Sequence, residues 1–303
     1  MGRDAVSGAL LVVGDVVTDV VAVHPEPLAP ATDTAARIRT LPGGAGANAA
    51  CWAAHEGLAE VGLLARVGAE SADWHERVLV AAGVRARLVV DPAEPTATVV
   101  SLVDGAAERT FLTDSGAALR LSPADWAPEL LDGCAHLHLS GYLFFGGTSR
   151  ELARLALRSA RERGVPVSVD PASAGFLAGL GAERFLDAVS GTRVLLPNAD
   201  EARLLAGFGP GADEGRAAAE LSRRVPLVVV TLGAAGALVA EGGEVTARVP
   251  GRPARAVDST GAGDAFTGAF LAARLSGADP LAAAAAGCRA GAAAVGRFGG
   301  RPG

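Results

Sequence analysis

Asp258-Ser259-Thr260-Gly261-Ala262-Gly263-Asp264-Ala265-Phe266 opens onto an apolar, small-residue run that lasts to Ala273. The pattern predicts a tight loop running into a buried helix. Glycines let successive backbone N–H groups turn toward one point, and the helix start adds the positive end of its dipole. Such a place binds anions, phosphate above all. Asp264 then stands where a carboxylate could take a proton from whatever attacks that phosphate. A plain turn with Asp264 as helix N-cap would use the same residues, so the loop alone leaves both readings open.

A second glycine loop, Leu41-Pro42-Gly43-Gly44-Ala45-Gly46-Ala47-Asn48-Ala49-Ala50, also runs into an expected helix, from about Ala47 to Gly57. It is not a Walker loop, because no Gly-Lys-Ser or Gly-Lys-Thr follows, and no buried strand directly precedes it as a dinucleotide fingerprint would require. With 40 glycines in 303 residues, a glycine-rich loop alone says little. Asn48 says more, since an amide at a helix start both donates to and accepts from hydroxyls. It could equally serve as a local cap.

Together, Gly-Gly-Ala-Gly-Ala-Asn near the start and Asp-Ser-Thr-Gly-Ala-Gly-Asp near the end resemble the two signatures of the ribokinase-like family of sugar and nucleoside kinases. The resemblance extends from Gly14 to Gly303. Between the signatures, Pro197-Asn198-Ala199-Asp200-Glu201 resembles the family's Asn-x-x-Glu element, and Thr231-Leu232-Gly233-Ala234-Ala235-Gly236 its nucleotide-side turn. Gly14-Asp15-Val16-Val17-Thr18-Asp19 resembles its first substrate-contacting strand end. The resemblance implies a three-layer αβα domain spanning residues 1–303. It also implies a small β-sheet lid, its strands inserted at about 16–40 and 96–113.

Composition narrows the chemistry independently. Half the residues are hydrophobic, enough for a large core. Net charge is −6 and no basic run occurs, which argues against nucleic-acid binding. All 27 basic residues are arginine, so Schiff-base chemistry and a P-loop lysine are excluded. Cys51, Cys134 and Cys288 are scattered and odd in number, as expected of buried free thiols in a reducing compartment. His136 and His138 alternate on an expected strand and read as structural. No signal peptide or bilayer-length apolar stretch is evident, so the expectation is a cytoplasmic protein without membrane partners.

Hydrophobic runs at Ala9–Val13, Val61–Ala65, His136–Leu139, Pro166–Val169, Val194–Leu196 and Leu227–Thr231 read as short buried strands. Helical segments at Ala47–Gly57, Ala72–Ala82, Ser149–Arg163, Glu201–Gly207 and Ala217–Arg223 alternate with them. That rhythm predicts a mostly parallel sheet with helices on both faces. Val16–His24 with Thr34–Thr40, and Thr96–Val103 with Glu108–Thr113, read instead as two exposed antiparallel pairs, with Asp104-Gly105 turning the second. An exposed, partly apolar sheet needs covering, and the resemblance implies a homodimer through it.

The resemblance also implies roles. Asp264 would be the base, with Gly261, Ala262 and Gly263 supplying the anion hole. Asp19, Gly43, Gly44 and Asn48 would contact the sugar, with Asp15 and Arg109 as companions. Asn198 and Glu201 would position Mg2+, chiefly through water, although the same pair suits a capping box. Thr231, Gly233 and Gly236 would flank ATP, with Phe298 and Gly299 bordering the adenine. Asp258, Thr260, Ala294, Arg297, Gly299 and Gly303 would surround a potassium-like ion. The activity implied is transfer of the γ-phosphate of ATP to a sugar hydroxyl. A nucleoside kinase and a non-catalytic sensor are the competitors. The low aromatic content, 4%, favours a sugar over a base that needs stacking.

Overall fold

Runs such as Ala9-Leu-Leu-Val-Val13 are buried along nearly their whole length, as strands covered by helices on both faces must be. The computed structural model describes residues 8–105 and 109–303. In chain order the first half holds β1 (Ala9–Val13), β2 (Val17–Val23), β3 (Arg37–Gly43), α1 (Ala45–His55), β4 (Val61–Gly68), α2 (Ala72–Ala81), β5 (Val84–Asp91), β6 (Ala97–Val103), β7 (Arg109–Asp114) and β8 (Cys134–Ser140). There follow α3 (Gly147–Glu162), β9 (Val167–Asp170), α4 (Ala174–Leu180), α5 (Ala182–Ala188), β10 (Val194–Leu195), α6 (Ala199–Leu205) and α7 (Glu214–Leu221). The remainder is β11 (Leu227–Thr231), β12 (Ala237–Glu241), β13 (Glu244–Val249), α8 (Ala262–Leu275) and α9 (Pro280–Ala294).

Nine strands form one sheet in the order β13-β12-β11-β10-β9-β8-β1-β4-β5. It is parallel from β5 to β11 and antiparallel through β12 and β13. Alternation along β1 builds the two cores. Leu11 and Val13 point into one, with α3, α5, α6 and α7; Leu10 and Val12 point into the other, with α1, α8 and α9. The result is the expected three-layer α/β architecture. β5 was not anticipated: Arg85 and Arg87 interrupt its apolar pattern because it lies at the sheet's edge, where charged side chains reach water.

The two expected hairpins are present but do not stand apart. β2 and β6 pair in parallel along their whole length, joining β3-β2-β6-β7 into one four-stranded sheet. The ends of that pairing lie far apart in the sequence, so no local signal marks it. Glu108, expected to open β7, lies outside the described residues. No helix among the described residues is long and apolar enough to cross a membrane.

Glycines set the approach of the helices that carry the two signatures. A Cβ on Gly268 of α8 would strike the Ala49 carbonyl of α1, so α1 and α8 cross with backbones nearly touching. His136 and His138 sit inside the sheet, each hydrogen-bonded to Ser168 Oγ, at 2.9 and 2.8 Å. Their role is structural. Burial holds both imidazoles below the usual histidine range, at about 4 and about 3.

Candidate active site

A cavity of about 500 Å3 lies between the carboxyl ends of the large sheet's strands and the small sheet. This is where ligands bind in open α/β sheets. Its residues come from both signatures: Asp19, Gly44 and Asn48 on one side, Thr260 to Asp264 on the other.

The crossing of α1 and α8 brings their first turns together. Asn48 Nδ2 donates to Asp264 Oδ2 at 2.8 Å, joining positions 216 residues apart. Burial in this carboxylate-rich cavity pushes the Asp264 carboxyl up to about 8, partly opposed by the Asn48 hydrogen bond. Gly261 is left-handed at φ 74° and caps α8. A Cβ there would collide with Gly300 Cα. The N–H groups that open this 14-residue helix face a cavity shared with no lysine, and they can receive an anion.

At the other signature, Gly44 caps α1 at φ 99°. Gly43 lies under the Asp19 carboxylate, and any Cβ there would overlap it. Desolvation pushes Asp19 up to about 7, with Asp15 adding to the rise and the Arg301 charge opposing it. Asp15 lines the cavity too. Its carboxylate accepts from the Ala45 and Gly46 N–H groups at 2.7 and 3.2 Å and from Ser140 Oγ at 2.8 Å, bracing the start of α1. β7 begins at Arg109, whose side chain lies outside the described residues.

Asn198 and Glu201 line the cavity and also close the capping box. Asn198 Oδ1 accepts from the Asp200 and Glu201 N–H groups at 3.0 Å each, and Glu201 Oε2 accepts from Asn198 N–H at 2.9 Å. The two readings of this pair therefore coexist. Thr231 lines the cavity as well, whereas Gly233 and Gly236 shape the turn after β11 outside its lining. Asp258 joins the C-terminal residues: Oδ1 accepts from Thr260 N–H at 2.8 Å and Oδ2 from Gly299 N–H at 3.0 Å. Arg297 N–H donates to the Ala294 carbonyl at 3.2 Å. Phe298 departs from expectation: it borders a groove with Val21, Val23 and Leu41 of the small sheet, under the Arg39 guanidinium, and not the nucleotide-side turn.

Sequence reading missed several features of this site. Asp170, at the carboxyl end of β9, accepts from Thr267 Oγ1 at 3.0 Å and Ala172 N–H at 2.9 Å. Burial raises both Asp170 and Glu201 above the carboxylate range, with the Asp15 charge adding to the rise of Asp170 and the Asp170 charge to that of Glu201. An acid ending a buried parallel strand was a usable signal. Phe111, Tyr142 and Phe176 line the cavity, and the buried Arg301 approaches Gly43 and Asn48; no local pattern announces these.

The matching family model, pfkB family carbohydrate kinase, spans residues 8–303. The chain belongs to the pfkB family of carbohydrate kinases. It is accordingly a phosphotransferase. A fructokinase from Klebsiella pneumoniae is 30% identical over 273 residues, covering 88% of this chain and 84% of that one. An Escherichia coli structure described as a Ribokinase II, solved with ATP and Mg2+, is 26% identical. It superposes with a TM-score of 0.83, covering 97% of this chain and 94% of that one. The adenosine kinase of Sinorhizobium meliloti, at 23% identity, shares the fold: TM-score 0.87, covering 98% and 96%. The expected sugar contact of Asp19, which lines the cavity beside Asn48, has a measurable consequence. Asp19→Ala is expected to raise the acceptor KM roughly tenfold to a hundredfold, the cost of a charged hydrogen bond, and to leave the ATP KM nearly unchanged. An equal rise in both constants would show that Asp19 holds the fold together.

Proposed function

We propose that this kinase transfers the γ-phosphate of ATP to a hydroxyl of a small sugar held between Asp19 and Asn48. The observation that carries the reading is the 2.8 Å bond between Asn48 and Asp264, which brings an amide, a half-buried carboxylate and a helix start to one point. The acceptor oxygen forms its bond to the γ-phosphorus as the bond to the β-γ bridging oxygen breaks, and ADP leaves. The acceptor's proton goes to Asp264. The Gly261, Ala262 and Gly263 N–H groups receive the transferred phosphoryl group's charge.

The carboxylates fit a divalent cation held in part by phosphate. Burial raises the Asp170 carboxyl to about 6 and the Glu201 carboxyl to about 8. No cluster of three or more metal-ligating side chains occurs among the described residues. One or two carboxylates, water and phosphate oxygens are the usual Mg2+ environment. Bound Mg2+ would neutralise phosphate charge that no lysine can meet. Glu201→Gln is expected to raise the Mg2+ concentration for half-maximal rate severalfold. Turnover that survives excess chelator would overturn the assignment. In the same assay, a rate that rises when K+ replaces a bulky cation supports a monovalent site around Asp258, Thr260, Arg297 and Gly299.

One observation favours a nucleoside acceptor as the second reading. The chain's single tyrosine and two of its nine phenylalanines line this cavity, and Phe111 and Phe176 are 53% and 41% exposed. Exposed rings beside a polyol-binding end suit a flat base. ATP turnover across D-ribose, D-fructose, a sugar acid and several nucleosides separates the two readings. No turnover with any of them would favour a sensor.

A homodimer through the small sheet follows from its outer face, opposite Asp19. Cross-strand register puts Thr40, Val20, Val100 and Leu112 in one row there, with Ile38 next to Thr40 on the same face of β3, and Ile38 and Leu112 are 64% and 57% exposed. Sedimentation at twice the single-chain mass is expected; a species near 30.2 kDa at micromolar concentration would contradict it. The lid role of this sheet and a cytoplasmic location belong to the same reading. Catalysis that persists without the sheet's Asp19 face, or export of the protein from the cell, would count against them.

A further inference from the structure

A buried cation stands behind the acceptor end of the cavity. Arg301 is only 9% exposed. Its Nη2 donates to the Gly43 carbonyl at 3.0 Å, its Nε approaches Asn48 Oδ1 at 3.4 Å, and its Nη1 is buried without a hydrogen-bond partner. We propose that Arg301 is a positioning residue for phosphoryl transfer: it holds the Gly43 carbonyl and the Asn48 amide so that Asn48 faces Asp264 with its NH2 group. The inference rests on the reading of Asp264 as base.

The argument turns on the two unlike ends of an amide. A guanidinium has only donors, so it fixes the oxygen end of Asn48 toward itself. The NH2 end is then left for Asp264, which it reaches at 2.8 Å. Reversed, Asn48 would set its oxygen against an ionised carboxylate and its NH2 against a guanidinium, two repulsive contacts. Arg301 therefore selects one of two amide orientations, and the selected one steadies the ionised form of Asp264.

The backbone that delivers Arg301 is itself fixed. Gly299 N–H donates to Asp258 Oδ2 at 3.0 Å, and the Gly300 carbonyl accepts from Trp52 Nε1 at 2.8 Å. A Cβ on Gly300 would overlap the Asn48 amide, so the chain passes hard against the residue it positions. The same glycine abuts Gly261 of the anion hole. One short segment thus touches the acceptor loop, the base's partner and the phosphate loop. A buried guanidinium with an unmet donor costs more than an apolar side chain of similar size, so packing alone is a poor reason for an arginine here.

Groups around the pair bear on any pH effect. Asp15, Asp19 and Asp170 face Asp264, and Asp19, Cys51 and His75 sense Arg301. Removing the cation frees Asn48 and leaves the surrounding acids less compensated. Both effects move the acid limb of the rate profile to higher pH.

The test compares wild type, Arg301→Met, Arg301→Lys, Asn48→Ala and the Asn48→Ala/Arg301→Met double variant, with the acceptor that wild type turns over fastest. Arg301→Met is expected to lower kcat roughly tenfold to a hundredfold, the range for a small misplacement. The ATP KM should stay within about twofold, and the acid limb of kcat/KM should move upward. In the double variant Arg301→Met should add almost nothing to the kcat loss of Asn48→Ala, because it acts through that amide. In a further variant, Arg301→Ala, free guanidinium should restore part of the rate. If Arg301→Met fails to fold, Arg301→Lys carries the test. Lysine keeps the charge but not the fork, so it should show the same kcat loss with a smaller pH shift. Unchanged kcat in a folded variant, or losses that multiply in the double variant, would overturn the inference. Absence of wild-type turnover with every acceptor would count against the kinase reading instead.

Discussion

Asp264→Asn should lower kcat by roughly 10²–10⁴, the range for a general base, while the ATP KM changes little. The free carboxyl is pushed up to about 8 by burial, so at neutral pH the resting site holds mostly the acid form. Wild-type kcat/KM should therefore rise with pH through about 8, and the variant's residual rate should lack that limb. Stability should move the other way. A carboxyl whose folded pKa lies above its unfolded value of 3.8 stabilises the fold by holding its proton, and that contribution is lost as pH rises through about 8. Asp264→Asn has no such proton to lose, so it should melt at or above wild type at pH 9. A well-folded variant with near wild-type kcat would remove Asp264 from the reaction.

Gly261→Ala should cost roughly 10²–10³ in kcat, the penalty for spoiling one donor of an anion hole. Two independent features produce it. The residue is left-handed at φ 74°, which alanine adopts only with strain. The added methyl would also collide with Gly300 Cα, a backbone atom that cannot swing aside. Relief must come from moving the phosphate loop or the segment that holds Arg301, and either spoils the geometry. Stopped-flow phosphoryl transfer with a thermal melt on the same sample separates this from unfolding. A loss of kcat below about fivefold would mean that the loop's N–H groups do not receive the transferred phosphate.

Much of this was written locally in the chain. The Asp258–Phe266 and Leu41–Ala50 loops announced themselves because glycines followed by small apolar residues have few uses other than a loop entering a tightly packed helix. The strand and helix alternation followed from short β-branched runs such as Val228 to Val230, buried on both faces. What was illegible depends on pairing at a distance. The parallel seam between β2 and β6 carries no turn signal. No local pattern shows that the Asp15 carboxylate also braces the start of α1. Phe298, expected to border the adenine, lies against the small sheet. Arg301 follows two glycines and carries no local sign of its role; only the fold shows its burial.

The most direct test of the kinase reading is the fate of the γ-phosphate. Wild type and Asp264→Asn would each be given labelled ATP, Mg2+ and the sugar and nucleoside panel, with label in the acceptor measured against ADP formed. The reading predicts one labelled acceptor molecule per ADP for wild type with at least one polyol, and a transfer rate at least roughly a hundredfold lower for Asp264→Asn. ATP hydrolysis without label in any acceptor, or equal transfer by both proteins, would contradict it.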